Sequence, residues 1–452
     1  MTIPVRSIDD FFDNEYLGYA KYVVENRAIP SVIDGFKPSQ RKIAYAAHKL
    51  WKTGKEKPLK VFQLGGQAAA ISFFHHGSLD GTIIGMAQDF KNSMPIFHGI
   101  GQFGSLRSPE AGAPRYIGVK FNENFRLLYK DFELVTPQYE EGEEIEPHFF
   151  LPIIPTVLLN GGSGIAVGFA TNILNRNPLD LIDSCLAELN GKKIKPLKPW
   201  IKGFKGTFEQ APDNPKSWLI HGNVIVHNTT KVEITEIPPS FTYEKYETHL
   251  ENLIEKSVMN GYDDNTSEQV NYVLKFTRAS LAKLNKRNAL EKTLKLTERQ
   301  GENFTTLDEN GNLKIFESSE EIVKYFVDFR LRYYEKRKDL LLENIKKELV
   351  TLTNRARFIK MIIDEKLKIS MRKKVDIEND LEQYSFDKVN DSYSYLISMP
   401  IHSLTKEKYE ELLNQVSNKN KEKETIENTT PIEMYKFDLK ELRKKIVKLK
   451  IY

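Results

Sequence analysis

Residues 101–105, Gly101-Gln-Phe-Gly-Ser105, and residues 113–116, Ala113-Pro-Arg-Tyr116, bracket a stretch broken by glycine and proline. A stretch of this kind does not pack as a plain helix or strand. It sets an arginine directly against a tyrosine. A tyrosine is a poor nucleophile unless its pKa of ~10 is lowered or its proton is taken. A cation alongside can do the first, or can hold a phosphate for attack. The chain has 20 tyrosines, so this pair acquires meaning only from its surroundings.

Upstream, Ser7-Ile-Asp-Asp10 is a capping signal, and Phe11, Phe12, Tyr16, Tyr19, Ala20 and Val23 keep helical spacing over 7–26. Arg27-Ala-Ile-Pro30 ends that helix, Asp34-Gly35 makes a turn, and Pro38-Ser39 opens a second helix to about Leu50. Two shorter helices are predicted near 65–74 and 78–90, split by His75-His76-Gly77. Three short helices followed by extended segments near 96–121 match a helix-turn-helix with a wing. Between Phe36 and Phe62 there are eight Lys or Arg residues (37, 41, 42, 49, 52, 55, 57 and 60) against one acid, Glu56. Composition alone reads this either as a phosphate-binding patch or as a solvated helix face.

Downstream, residues 133–310 mix the two periods. Leu151–Leu159, Val224–Val226, Lys231–Ile237 and Tyr272–Phe276 read as strands; 178–190, 243–259 and 279–295 read as helices. After Phe316, residues 318–369 hold almost no Gly or Pro, and apolar residues recur at three- and four-residue steps from Ile322 through Ile345 to Ile363. That is the seam of a long helix packed on another. A break near 370–400 and helical stretches at about 405–425 and 432–449 complete an antiparallel coiled-coil arm with a compact cap. This arm is assigned no chemistry. The expected class is α+β and multidomain: a helical arm (1–29), a winged-helix domain (30–150), a tower domain (151–317), an outgoing helix (318–370), a cap (371–404) and returning helices (405–452).

Bulk properties set the frame. A chain of 452 residues holds several structural units. The net charge of +4 excludes a global polycation. The single cysteine, Cys185, allows no internal disulfide and fits a reducing compartment. No run approaches the ~18 apolar residues of a membrane span, so no membrane role and a cytoplasmic setting are expected. There is no phosphate loop with Gly-Lys-Ser/Thr and no dinucleotide fingerprint. His75-His76 lacks a third ligand at metal spacing. Glu140-Glu-Gly-Glu-Glu144 reads as a solvated loop, and no Asp-x-Asp pair follows a strand to hold Mg²⁺, so no metal ligands are assigned.

Read together, these segments resemble the DNA-breaking region of the type IIA topoisomerases. The resemblance is carried by Arg27-Ala-Ile-Pro-Ser-Val-Ile-Asp-Gly-Phe-Lys-Pro38 with Arg41, His76-Gly77, Thr82-Ile-Ile, Ala87-Gln88, Gly101-Gln-Phe-Gly104 and Pro114-Arg-Tyr-Ile117. Asn160-Gly-Gly-Ser-Gly-Ile-Ala-Val-Gly168 through Ala170-Thr-Asn172 is similar to the family's glycine-rich loop. Gly203-Phe-Lys-Gly206, Arg330-Leu-Arg-Tyr-Tyr-Glu-Lys-Arg337 and Met399-Pro-Ile-His-Ser-Leu-Thr405 resemble its eukaryotic branch. The size of the chain is similar to that of the DNA-cleaving medium subunits of T-even-type phage topoisomerases, which implies a bacterial host cell.

The resemblance implies roles. Tyr116 would attack a backbone phosphate and become joined to the 5′ end of the break. Arg115 would stabilise charge on the phosphate, Arg27 would hold the scissile region, and His76 would act as base or phosphate donor. Lys37, Arg41 and Lys42 would grip phosphates, Gln102 and Ser163 would contact DNA, and Ile165 would wedge between base steps to bend the duplex. Two tyrosines in a homodimer would make a double-strand gate. Mg²⁺ and ATP would be held by an ATPase/toprim partner, of one chain or two. The stretch after Gly77 is shorter than the family pattern, and Gln40 replaces a histidine of bacterial relatives. The chain stops at Tyr452 with no wrapping propeller, so relaxation and decatenation are expected rather than negative supercoiling. A non-catalytic DNA-bending scaffold and a tyrosine recombinase with a 3′ linkage are the alternatives.

Overall fold

The computed structural model describes residues 7–52, 56–74, 77–267, 269–286 and 289–452, with Ile401 by its backbone alone. The chain divides into two compact units. One runs to Arg330 and includes Asp438–Tyr452; the other is Leu331–Phe437.

In the first unit, the helical run from Ile8 to Ala28 starts at Ser7, whose hydroxyl accepts the Asp10 N–H at 3.0 Å. Its last turns bury Val23, Val24 and Ala28 with Ile29 and Leu307. The Asp34-Gly35 turn that follows is fixed from all sides. Asp34 is fully buried; its carboxylate accepts from the Phe36 and Phe150 N–H groups at 3.0 and 3.1 Å and from Arg41 Nε at 2.7 Å and Nη2 at 3.0 Å. Its carbonyl accepts from Thr156 Oγ1 at 2.7 Å and Tyr129 Oη at 3.1 Å. Gly35 sits at φ +70°, where a Cβ would lie 2.7 Å from the Val157 nitrogen, so only glycine fits.

Helix α1 (Pro38–Leu50) opens on proline, whose missing N–H would have no partner at a helix start anyway. Gln40 folds back to accept the Lys37 N–H at 2.9 Å. Helices α2 (Val61–Ile71) and α3 (Asp80–Ala87) follow, shorter and displaced by a few residues from the predicted spans. They approach closely at Gly65, where a Cβ would meet Asp80 Oδ1 at 2.7 Å. Strands β1 (Leu59–Lys60), β2 (Phe97–Ile100) and β3 (Gly118–Phe121) form an antiparallel sheet in the order β1-β3-β2, with Lys60 opposite Gly118 and Gly99 opposite Val119. The three helices and this sheet enclose Trp51, Phe97, Phe121 and Phe125. Phe121 and Phe125 stack at 4.0 Å, and Trp51 meets Phe121 edge-on at 5.1 Å, geometries that add to the burial of large rings. The β2–β3 connection, residues 101–117, is the wing.

Several sequence expectations are corrected here. The run 151–159 is a two-residue strand, Leu151–Pro152, followed by the helix Thr156–Leu159. Being buried all round, it has no periodicity to tell strand from helix. The stretch 279–295 contains two helices, Arg278–Lys286 and Leu290–Thr293. The acidic run is a hairpin, Gln138–Glu140 with Glu143–Ile145, turning on Glu141 and Gly142 at positive φ. Its Glu144 accepts a 2.5 Å bond from Tyr45 and lies 3.8 Å from Lys49.

Beyond it, strands Asn223–Val226, Lys231–Glu236, Tyr272–Lys275 and Gly261–Asp264 form a four-stranded antiparallel sheet in that order. Its core includes Ile234, Tyr272 and Leu274 with Tyr246 and Leu250 of the helix Tyr243–Glu255. Arg176 and Glu302 form a buried pair at 2.8 Å. The carboxylate also takes the Trp218 indole N–H and the Leu174 N–H, so no lone pair is stranded.

The second unit holds most of the 45-residue helix Ser319–Ile363 and the helix Lys406–Asn428. Lys338 donates to the Glu427 and Thr429 carbonyls, Lys419 pairs with Glu348 at 2.7 Å, and Leu412 packs with Ala356 and Ile359. As one helix advances its partner retreats, which is an antiparallel coiled coil. The cap buries Phe358, Leu381, Phe386 and Leu396. The returning strand of the coil breaks at Thr429-Thr430-Pro431, where proline starts the next helix.

Candidate nucleic-acid interface

Tyr116 lies on a tight turn whose main chain is clipped to the start of α2. Phe62 and Val61, the first residues of α2, donate their N–H groups to the Pro114 and Ile117 carbonyls at 3.3 and 3.1 Å. These donors have no partner inside the helix, so the wing supplies one. Lys60 Nζ donates to the Tyr116 carbonyl at 2.7 Å. Residues 60–62 thus hold three carbonyls around the tyrosine, while its side chain stays 68% exposed. The Arg115 guanidinium sits 4.9 Å from the Tyr116 ring centroid, within cation–π range, and also faces solvent.

The wing is closed at its base. The Gly112 N–H donates to the Gln102 carbonyl at 2.9 Å, and buried Gln88 donates to the Phe103 carbonyl at 2.8 Å. Gly104, at φ +82°, lies where a Cβ would strike the Pro109 carbonyl oxygen at 2.5 Å. The Gln102 side chain is exposed and borders a cavity of about 470 Å³ with His98 and Asn124.

A second group assembles around the glycine-rich loop. Gly162–Ile165 pairs with Ala170–Ile173, and Ile165 at its end is 87% exposed. Lys37 Nζ donates to the Ser163 carbonyl at 2.7 Å. Gly164 is so close to the Ala28 carbonyl that a Cβ would sit 2.0 Å from its oxygen. Arg27, Lys37 and Lys91 border a groove of about 750 Å³ with Asn92, Asn160 and Ser163. Arg27 is exposed, with no ion-pair partner among the described residues. Burial lowers the pKa of Lys37 below the ordinary lysine value.

The basic patch is less free than its composition suggests. Arg41, expected to grip phosphate, is buried and held by Asp34 and the Phe36 carbonyl. Lys42, assigned the same task, donates to the Ser72 carbonyl and pairs with Glu146, each at 2.7 Å. Both cations are engaged inside the protein, because acids more than a hundred residues away, or in the preceding turn, fold onto α1. Lys52 and Lys57 are exposed. His76 lies outside the described residues. Sequence reasoning missed Lys60 and Lys91 as members of the site. Lys60 was visible only as one of eight cations, and its role comes from the β1–β3 pairing.

Among the described residues no three His, Cys, Asp or Glu side chains gather as a metal site. These residues therefore do not fit Mg²⁺, and the chain's own chemistry is derived without a metal. Among them, too, no helix is long and apolar enough to cross a membrane.

A winged helix presenting an Arg-Tyr pair, beside a hairpin with an exposed apolar tip, can be set against known proteins. The model of the DNA gyrase/topoisomerase IV family, built on its DNA-cleaving A chains, matches residues 27–443, so the chain belongs to that family. Within it, the chain is 32% identical to the DNA topoisomerase medium subunit of Enterobacteria phage T4, over 98% of this chain and 100% of that one. It is 34% identical to the mitochondrial DNA topoisomerase 2 of Dictyostelium discoideum over 97% of its length, but spans only 35% of that relative. The structure superposes with TM-score 0.86 on the Plasmodium falciparum topoisomerase II DNA-binding, cleavage and re-ligation domain, at 32% identity, covering 97% of this chain and 64% of that one.

Proposed function

We propose that this chain is the DNA-breaking and rejoining subunit of an ATP-dependent type II topoisomerase. The observation that carries this reading is the exposed Tyr116 phenol beside Arg115, on a turn whose backbone is fixed by residues 60–62. A nucleophile needs a free oxygen on a fixed frame, since productive attack depends on reacting atoms ~3–3.5 Å apart.

On this reading the Tyr116 Oη–phosphorus bond forms as the phosphorus–O3′ bond breaks. The phenol loses its proton and the departing 3′ oxygen gains one. One phosphodiester replaces another, so rejoining is simple reversal. Arg115 faces the phosphate as charge builds on its oxygens, a task suited to a planar guanidinium that never loses its charge. Arg27 and Lys37 hold the backbone along the groove, with Ser163 and Gln102 as further DNA contacts and His76 as base or donor. Ile165, solvated in the free protein, inserts between base steps, where unstacking costs a few kcal/mol and allows the duplex to bend.

The same reading takes residues 30–150 as the cleaving module, 151–317 as the tower and 371–404 as a dimerising cap. Two copies provide one tyrosine per strand. The family's Mg²⁺ and ATP come from an ATPase/toprim partner, and the setting is the cytoplasm of a bacterial host. Plasmid relaxation tests the assembly. The chain combined with an ATPase/toprim partner, Mg²⁺ and ATP should relax supercoiled DNA. Either protein alone should not.

A further inference from the structure

The wing is tied down at a second place, far in sequence from α2. Residues 105–108 form a turn closed by the Ser105 N–H to the Ser108 carbonyl at 2.8 Å. This turn reaches the tower at three points. The Leu106 carbonyl accepts the Tyr243 N–H at 3.2 Å, a first-turn donor with no partner inside the helix Tyr243–Glu255. Arg107 Nη2 lies 3.1 Å from Asp264 Oδ2 and 3.8 Å from Glu247 Oε1.

Both acids are set in place by their own domain before the wing arrives. Asp264 ends the edge strand Gly261–Asp264, and its other oxygen accepts the Thr266 N–H at 2.8 Å. Glu247 accepts a 3.2 Å bond from Tyr272, whose side chain lies in the tower core. Burial works against the Asp264 carboxylate, but Thr266 and the Arg107 guanidinium outweigh it and hold its pKa below the usual range. The acids are therefore a preformed socket, and Arg107 is the wing's plug.

We infer that Arg107 is a positioning residue for Tyr116: by docking onto Asp264 and Glu247 it fixes the wing against the tower. The inference rests on the reading of Tyr116 as nucleophile. The mechanical link between the two residues is direct. The loop between Arg107 and Tyr116 is short, cross-tied from Gly112 to Gln102, and held at Phe103 by Gln88. Rotation of the 105–108 turn therefore carries the Tyr116 turn with it. Arg107 is 57% exposed at its side chain, so the clamp is of moderate strength and weakens with salt. That suits a contact that must release when the gate opens.

The test uses Arg107→Glu, Asp264→Arg and the double exchange in the full chain. In hydrogen–deuterium exchange on the chain alone, Arg107→Glu should speed exchange in residues 102–112, and the double variant should restore protection. With Mg²⁺ and an ATPase/toprim partner, Arg107→Glu should slow covalent adduct formation about five-fold, as expected for lost partly exposed ion pairs and added repulsion. Duplex affinity should stay within two-fold, the double variant should recover most of the rate, and the gap to wild type should narrow at high salt. The proposal is overturned if protection is unchanged, if the exchange of charges fails to rescue, or if duplex affinity falls in parallel with rate, which would make Arg107 a DNA contact. Absence of adduct in the wild-type complex would instead sink the Tyr116 reading, while the exchange data would still decide whether Arg107 orders the wing.

Discussion

Lys60 Nζ donates to the main-chain carbonyl of Tyr116 at 2.7 Å. A cation that starts α2 thus holds the backbone of the exposed tyrosine rather than its phenol. The position of Tyr116 then depends on α2 as much as on the wing. Lys60→Met should leave folding intact, since the side chain is exposed, yet lower the rate of DNA cleavage. Loss of a charge-assisted bond worth ~1.5–3 kcal/mol predicts a fall of roughly ten- to a hundred-fold. Lys60→Arg should retain most activity. Single-turnover cleavage on denaturing gels, compared with duplex affinity, checks this.

Asp34 and Arg41 form a buried pair that fixes the turn before α1, so removing one partner strands the other. Asp34→Ala should destabilise the first unit by ~3–5 kcal/mol, seen as a lower thermal midpoint. Arg41→Met should be milder, and it separates this role from phosphate binding. If Arg41 is internal, the dependence of DNA affinity on log salt keeps its slope. If Arg41 contacted a phosphate, the slope would fall by about one.

Ile165 is almost fully exposed, so Ile165→Ala should change stability by no more than ~0.5 kcal/mol. Its effect should appear on DNA instead. A duplex labelled at both ends should show a smaller bend by energy transfer with Ile165→Ala than with wild type, and cleavage should fall in step. Unchanged bending would rule out the wedge.

Lys37 has a depressed pKa from burial, and the sign of its pH dependence follows. Its charge is lost as pH rises through a value below that of ordinary lysine, so duplex affinity should decline there before other lysines titrate. Lys37→Arg, which does not titrate in this range, should remove that early decline. Stability moves the other way. In the window between the folded and the higher unfolded pKa, the unfolded chain binds more protons, so stability gained by shedding the buried charge rises with pH. Duplex affinity by anisotropy and the thermal midpoint, each followed across this window, test the two directions.

Much of this molecule is legible in its residues, for reasons that differ from place to place. The wing is marked by Gly101, Gly104 and Pro114, and the coiled coil by its long apolar seam, both local patterns. The Arg115–Tyr116 pair is adjacent in sequence, and Ile165 stands out in a glycine-rich hairpin. What sequence could not show is which cations are already engaged. Arg41 is neutralised by Asp34 from the preceding turn, and Lys49 by Glu144 from a hairpin that reads as a solvated loop. Arg107 finds Asp264 across 157 residues. Long-range pairing leaves no periodic trace, so composition counts such side chains as free.

The central claim is that Tyr116 is the nucleophile and that its bond is to a 5′ phosphate. The direct measurement is denaturation of the complex on end-labelled duplex with Mg²⁺ and an ATPase/toprim partner, followed by peptide mapping of the DNA-linked residue. The account predicts adduct on the 5′ ends of both strands, carried by Tyr116 and absent in Tyr116→Phe. An adduct that persists in Tyr116→Phe, or one attached to 3′ ends, would contradict it.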